Sequence, residues 1–103
     1  MAKKGMYLPV IFRVWKENGD VIAIFPTLPG DGGYDSMMMY ERMGQHGSGN
    51  YRGVVERTTP ASKAEYASLF AELKRIYEPE SCLVVKKRLT REDTELRRLA
   101  EKL

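Results

Sequence analysis

Apolar and polar positions are patterned most clearly near the N-terminus. Residues 7–16 and 21–25 are rich in β-branched and aromatic side chains, the composition of paired strands. Between them, Glu17-Asn18-Gly19-Asp20 holds an Asn-Gly pair that tolerates positive φ, so the two runs predict a hairpin closed by a two-residue type I′ turn. That turn sets Lys16 opposite Val21, Trp15 opposite Ile22, Val14 opposite Ala23 and Phe12 opposite Phe25. One face then carries Val10, Phe12, Val14, Val21, Ala23 and Phe25. The other carries Ile11, Trp15, Ile22 and Ile24, with Arg13 among them. Both faces are apolar, so both need cover.

Pro26 and the Pro29-Gly30-Asp31-Gly32-Gly33 run end the second strand, because proline cannot donate to the ladder. Residues 36–43 predict a third strand, with Met37, Met39 and Met43 on one side and Met38 and Tyr40 on the other. Residues 44–50 read as a glycine-rich loop and residues 51–58 as a fourth strand. The clearest helix follows. Ser62-Lys63-Ala64-Glu65 is a capping box, and Tyr66, Leu69, Phe70, Leu73, Ile76 and Tyr77 recur at three- and four-residue steps. Pro79 ends it by disfavouring helical geometry at Glu78. Residues 82–85 are a short β-prone run. Thr90-Arg91-Glu92-Asp93 resembles a second N-cap, followed by a narrower stripe of Leu96, Leu99, Ala100 and Leu103. Strands that run consecutively before a helix predict an α+β fold. Its antiparallel sheet of two hairpins and a later strand is packed by one main amphipathic helix, with a short C-terminal helix. Residues 1–103 form a single domain of ordinary size.

Charge adds one feature. Residues 1–82 balance ten Lys/Arg against ten Asp/Glu, so the whole net charge of +3 lies in the last fifth of the chain. There Lys86, Lys87, Arg88, Arg91, Arg97, Arg98 and Lys102 outnumber Glu92, Asp93, Glu95 and Glu101. Composition excludes other classes. No apolar run approaches the roughly 20 residues that cross a bilayer. The stretch after Met6 is broken by Pro9, Arg13 and Lys16, unlike a secretory signal. Cys82 is the only cysteine, which fits a reducing compartment, and a cytoplasmic location is expected without membrane association.

Three stretches carry a resemblance: Ile11-Phe-Arg-Val-Trp-Lys-Glu-Asn-Gly-Asp20 leading into Ile24-Phe-Pro26; Gly44-Gln-His46; and Thr59-Pro-Ala61 with Glu65-Tyr66 and Glu72-Leu73. Together they resemble a family of small uncharacterised proteins of bacterial genomes and phage-like mobile elements, over roughly residues 11–77. The resemblance supports the fold class and brings no assigned activity or catalytic residues with it. The chain departs from that pattern at Pro79-Glu80-Ser81, and the basic terminal helix reads as an addition of its own.

Candidate chemistry is sparse. His46, the only histidine, sits in the glycine-rich stretch with Tyr40, Arg42, Ser48 and Tyr51 nearby in sequence, so a small ribonuclease centred on it is one reading. An exposed polar loop residue is the plainer one. His46 and Cys82 are the only soft ligands and nothing pairs them, so no metal site and no cofactor is expected. The glycines at 30–33 and 47–49 match no phosphate-binding fingerprint. Lys86, Lys87, Arg88, Arg91, Arg98 and Lys102 are candidates for contacting phosphates. Glu95 interrupts that helical face, and the segment lacks the interleaved aromatics of single-strand binders, which favours a solvated surface.

The reading is a small non-catalytic accessory or interaction module that self-associates. A nucleic-acid binder using the basic end and a His46 ribonuclease are the alternatives. The exposed hairpin face points to a homodimer, with Ile11, Arg13, Trp15, Ile22 and Ile24 at its interface, because interfaces accept arginine more readily than cores do. The terminal helix is the other candidate cover.

Overall fold

The structure is a computed structural model that describes residues 6–30, 36–41, 45–78 and 81–101. Strands β1 (Met6–Trp15) and β2 (Val21–Pro29) form the expected antiparallel hairpin. The second hairpin joins β3 (Ser36–Glu41) to β4 (Gln45–Asn50). A short helix α1 (Tyr51–Glu56), strand β5 (Thr58–Pro60), helix α2 (Lys63–Tyr77), strand β6 (Ser81–Lys86) and helix α3 (Arg91–Glu101) follow. The fold is α+β. Its sheet runs β4-β3-β2-β1-β5, and β6 also pairs with β1.

The outer edge of β1 is shared. Its first part, Met6 to Ile11, pairs in parallel with Ser81 to Lys86 of β6. Its last part, Arg13 to Trp15, pairs antiparallel with Thr58 to Pro60 of β5. Two strands of opposite sense thus leave β1 on either side of Phe12, a division that matters for the groove described below.

The first face of the sheet is closed by α2. Leu69 and Leu73 are buried there with Val10, Phe12, Ala23, Phe25 and Tyr40. The Phe12 ring stacks on Tyr66 at a centroid distance of 4.4 Å and meets Phe70 edge-on at 5.7 Å. Each buried leucine contributes about 1.5–3 kcal/mol by leaving water. The helix starts as its sequence requires: Glu65 N donates to Ser62 Oγ at 3.2 Å, and Ser62 N donates to Glu65 Oε1 at 2.8 Å. It stops at Glu78, whose φ and ψ of −89° and 145° are extended.

The second face is closed within the same chain. Ile11, Ile22, Ile24, Met37 and Met39 pack with Val54 of α1, flanked by Trp15, Tyr51 and Leu89. The three isoleucines are at most 1% exposed and Arg13 only 8%, so the surface expected to meet a second subunit is already covered. Arg13 has an internal task. Its Nε donates to Thr58 Oγ1 at 2.7 Å, and its Nη2 donates to Thr58 O at 3.0 Å and Val55 O at 3.4 Å. Lys16 Nζ donates to Glu56 O at 3.1 Å. Two cations therefore donate to carbonyls at the end of α1, Arg13 to Val55 O and Lys16 to Glu56 O, and both suit the negative end of its dipole. Trp15 is half-buried, donating from Nε1 to Glu41 Oε2 at 3.2 Å beneath the Arg57 guanidinium.

Three local expectations are corrected. The hairpin register is slipped by two residues: Val14 faces Val21, and Phe12 faces Ala23. The turn is longer than two residues, with Trp15 N donating to Asp20 O at 2.9 Å and Gly19 N donating to Trp15 O at 2.8 Å. Gly19 does take positive φ, at 78°. A two-residue slip preserves parity, which is why the two faces still have the expected composition.

The stretch expected to be a loop is β4, and one of its glycines, Gly49, serves packing. A Cβ on Gly49 would lie 3.0 Å from Met39 Sδ and 3.1 Å from Val54 Cγ2. The stretch expected to be a fourth strand is instead α1 followed by β5. Asn50 caps the helix by accepting from Gly53 N at 3.2 Å, and burial of Val54 outweighs the strand preference of Val54-Val55.

Candidate functional site

Where β5 and β6 part at Phe12, a groove of about 760 Å³ opens. Phe12 and Arg13 of β1 and Tyr51 of α1 line it. Pro60, Ala61 and the first turn of α2 (Ser62, Lys63, Glu65, Tyr66) form one wall, and Val85 to Arg88 at the end of β6 form the other. Five of these residues are cationic, and Glu65 is the single carboxylate.

The five cations are not equivalent. Arg13 is committed to the end of α1. Lys86 Nζ lies 2.6 Å from Asp93 Oδ2 and is held by it. Lys63, Lys87 and Arg88 are exposed, and among the described residues they make no ion pair. Glu65 is the third residue of α2 and the second half of its capping box, its carboxylate accepting from the Ser62 amide. The rim therefore presents three available positive charges beside the positive end of the α2 dipole.

The floor is aromatic and apolar. Phe12, Tyr51, Tyr66, Pro60, Ala61 and Val85 supply it. Tyr66 is fixed by its stack on Phe12 and its perpendicular contact with Phe70, at 6.0 Å between centroids. Tyr51 is fixed through its hydroxyl, which accepts from Leu89 N at 3.2 Å. Both aromatic walls are thus set in place without a ligand, which lowers the ordering cost of binding.

The Lys87-Arg88 segment is positioned from behind. Asp93 Oδ2 accepts from Lys86 Nζ and from Thr90 N at 3.1 Å, while Asp93 N donates to Thr90 Oγ1 at 3.2 Å. This is the expected N-cap of α3, and it ties the turn at 87–90 to both β6 and the helix. Burial alone would raise the Asp93 carboxyl. The hydrogen bonds from Lys86 and Thr90, with the Lys86 charge, outweigh it and hold the group below its ordinary value.

Of the residues singled out for nucleic acid, the fold brings Lys86, Lys87 and Arg88 into the groove. Arg91 and Arg98 are exposed on α3, away from the lining, and Lys102 lies outside the described residues. The sequence reading missed Lys63, Tyr51 and Tyr66. Lys63 stands 23 residues before Lys86, Tyr66 lies one turn further along the same helix and Tyr51 comes from α1, so no local window links them to the basic tail.

His46 is a strand residue of β4, paired with Tyr40 across β3, and its side chain lies outside what the structure describes. The Tyr40 hydroxyl donates to the Glu72 carboxylate, and Tyr40 itself is buried in the first-face core. Among the described residues, no three His, Cys, Asp or Glu side chains gather where they would hold a metal, and no helix is long and apolar enough to cross a membrane. No family model, curated protein or solved structure matches the chain.

Proposed function

We propose that the protein is a non-catalytic binding module that takes a single-stranded nucleic-acid segment in the groove between β5 and β6. The observation that carries this reading is the meeting of the basic Lys86-Lys87-Arg88 tail with Phe12, Tyr51 and Tyr66 in one concavity. Single-strand binders combine cations that track the backbone with aromatic surfaces for the bases. Here Lys63, Lys87 and Arg88 supply the first and the tyrosines the second. A volume of about 760 Å³ lies in the range of small-ligand sites, which admits unstacked nucleotides and not a duplex.

Fluorescence anisotropy with labelled mixed-sequence oligonucleotides tests it. Three phosphate contacts predict a log–log salt slope of about −2 for a single strand. Lys87→Ala with Arg88→Ala should weaken binding by about tenfold or more and reduce that slope. Absence of salt-dependent binding, or binding that the double variant leaves unchanged, would refute the reading.

A further inference from the structure

The polar groups of the groove differ in what they can read. Lys63, Lys87 and Arg88 suit backbone phosphates, which are alike in every sequence, and an aromatic ring stacks on any base. Telling one base from another needs a hydrogen-bonding group held at a base edge. Glu65, the single carboxylate of the lining, is such a group.

The capping box fixes where that carboxylate sits. Its Oε1 accepts from Ser62 N at 2.8 Å, while Glu65 N donates to Ser62 Oγ at 3.2 Å, so the side chain is drawn back over the start of α2. Oε2 accepts no hydrogen bond among the described residues. Tyr66 stands four residues after Ser62 on the same side of the helix, and helical side chains lean towards the N-terminus. The ring and the carboxylate therefore border one corner of the groove.

One face of the Tyr66 ring is open to a stacked base. Phe12 covers the other, parallel to it at 4.4 Å. Phe70 lies 5.7 Å from the Phe12 centroid and 6.0 Å from that of Tyr66, so it sits beside the pair and not on its end. A base laid on the free face would continue the stack and bring its edge towards Glu65.

We infer that Glu65 selects among bases and favours guanine. A carboxylate only accepts hydrogen bonds. Guanine presents N1–H and N2–H₂ side by side on its Watson–Crick edge, two donors for the two oxygens, with Oε1 using its second lone pair. Adenine and cytosine each present one amino group next to a ring acceptor that repels the carboxylate. Thymine and uracil flank a single N–H with two carbonyls. The charge of Glu65 also repels phosphate, which leaves this corner to a base edge. The preference rests on the groove taking a single strand, as proposed above.

Fluorescence anisotropy at fixed salt reads the result, with a thymine-only oligonucleotide and three others carrying one guanine, adenine or cytosine at the centre. The guanine probe should bind about tenfold tighter than the thymine-only one, the yield of one bidentate pair. Glu65→Gln keeps the capping box, so its thermal midpoint should match the parent, while its amide turns a donor towards the base. That change should cut the guanine advantage to about twofold or less. Lys87→Ala with Arg88→Ala should weaken all four probes together and leave their ratios unchanged. Salt-dependent binding with equal affinity for the four probes would overturn the inference and leave the single-strand reading standing. A guanine preference that survives Glu65→Gln would overturn it as well, and failure of every probe to bind would remove both.

Discussion

The two faces of the sheet are covered by opposite means. On the first, α2 lays leucines and aromatic rings on Val10, Phe12, Ala23 and Phe25. On the second, Val54 of α1 packs on Ile11, Ile22 and Ile24, and charged side chains fix the helices: Arg13 the end of α1, and Asp93 and Arg97 the seating of α3 against β6 and β2. The first cover is driven by apolar burial and accepts many side chains of similar volume. The second depends on particular donors and acceptors, which fix how each helix is turned. That precision holds Lys87 and Arg88 at the groove and leaves Leu96 and Leu99 outside it.

Substitutions separate the two covers. Leu73→Ala should lower stability by about 3 kcal/mol, because it empties a fully buried site under α2. Urea denaturation measures it. Arg13→Met keeps much of the side chain's length but removes the buried donors to Thr58 Oγ1 and Thr58 O, which predicts a loss of about 2 kcal/mol. If Arg13 belonged to a subunit interface, the same change would alter mass in solution and leave monomer stability alone. Gly19→Val should cost about 1–2 kcal/mol through backbone strain alone, since a Cβ there meets nothing within 4 Å.

The smallest effect concerns pH. The Asp93 carboxyl is held below its ordinary value in the folded chain. Its contribution is therefore present above the unfolded carboxyl pKa of about 3.9 and is lost as pH falls through the lower folded value. Asp93→Asn should flatten the acid limb of the stability profile. Equal acid limbs in parent and variant would show that the Lys86–Asp93 pair is not an anchor.

The difference between the faces also explains what was legible in the sequence. The apolar stripe of α2, its capping box and the composition of both hairpin faces are local signals, and the fold reproduces them. Arg13 read as an interface residue, and the burial of Asp93 and Arg97 was not legible, because burial of a charge depends on partners outside the local motif: Thr58, Lys86 and Pro26. The glycines of β4 were opaque for a related reason. Gly49 is small so that Met39 and Val54 can approach, a constraint that only the packed structure reveals. The groove was half legible. Its basic tail is a run of three in the chain, while its aromatic floor is assembled by the way β5 and β6 divide the edge of β1.

Amide chemical-shift mapping with a short single-stranded oligonucleotide reads occupancy of the groove residue by residue. Binding in the groove should give saturable shifts concentrated at Tyr51, Lys63, Tyr66, Lys87 and Arg88, with the exposed side of α3 from Arg91 to Arg98 left unchanged. Shifts confined to α3, or no shifts on titration at low salt, would contradict it.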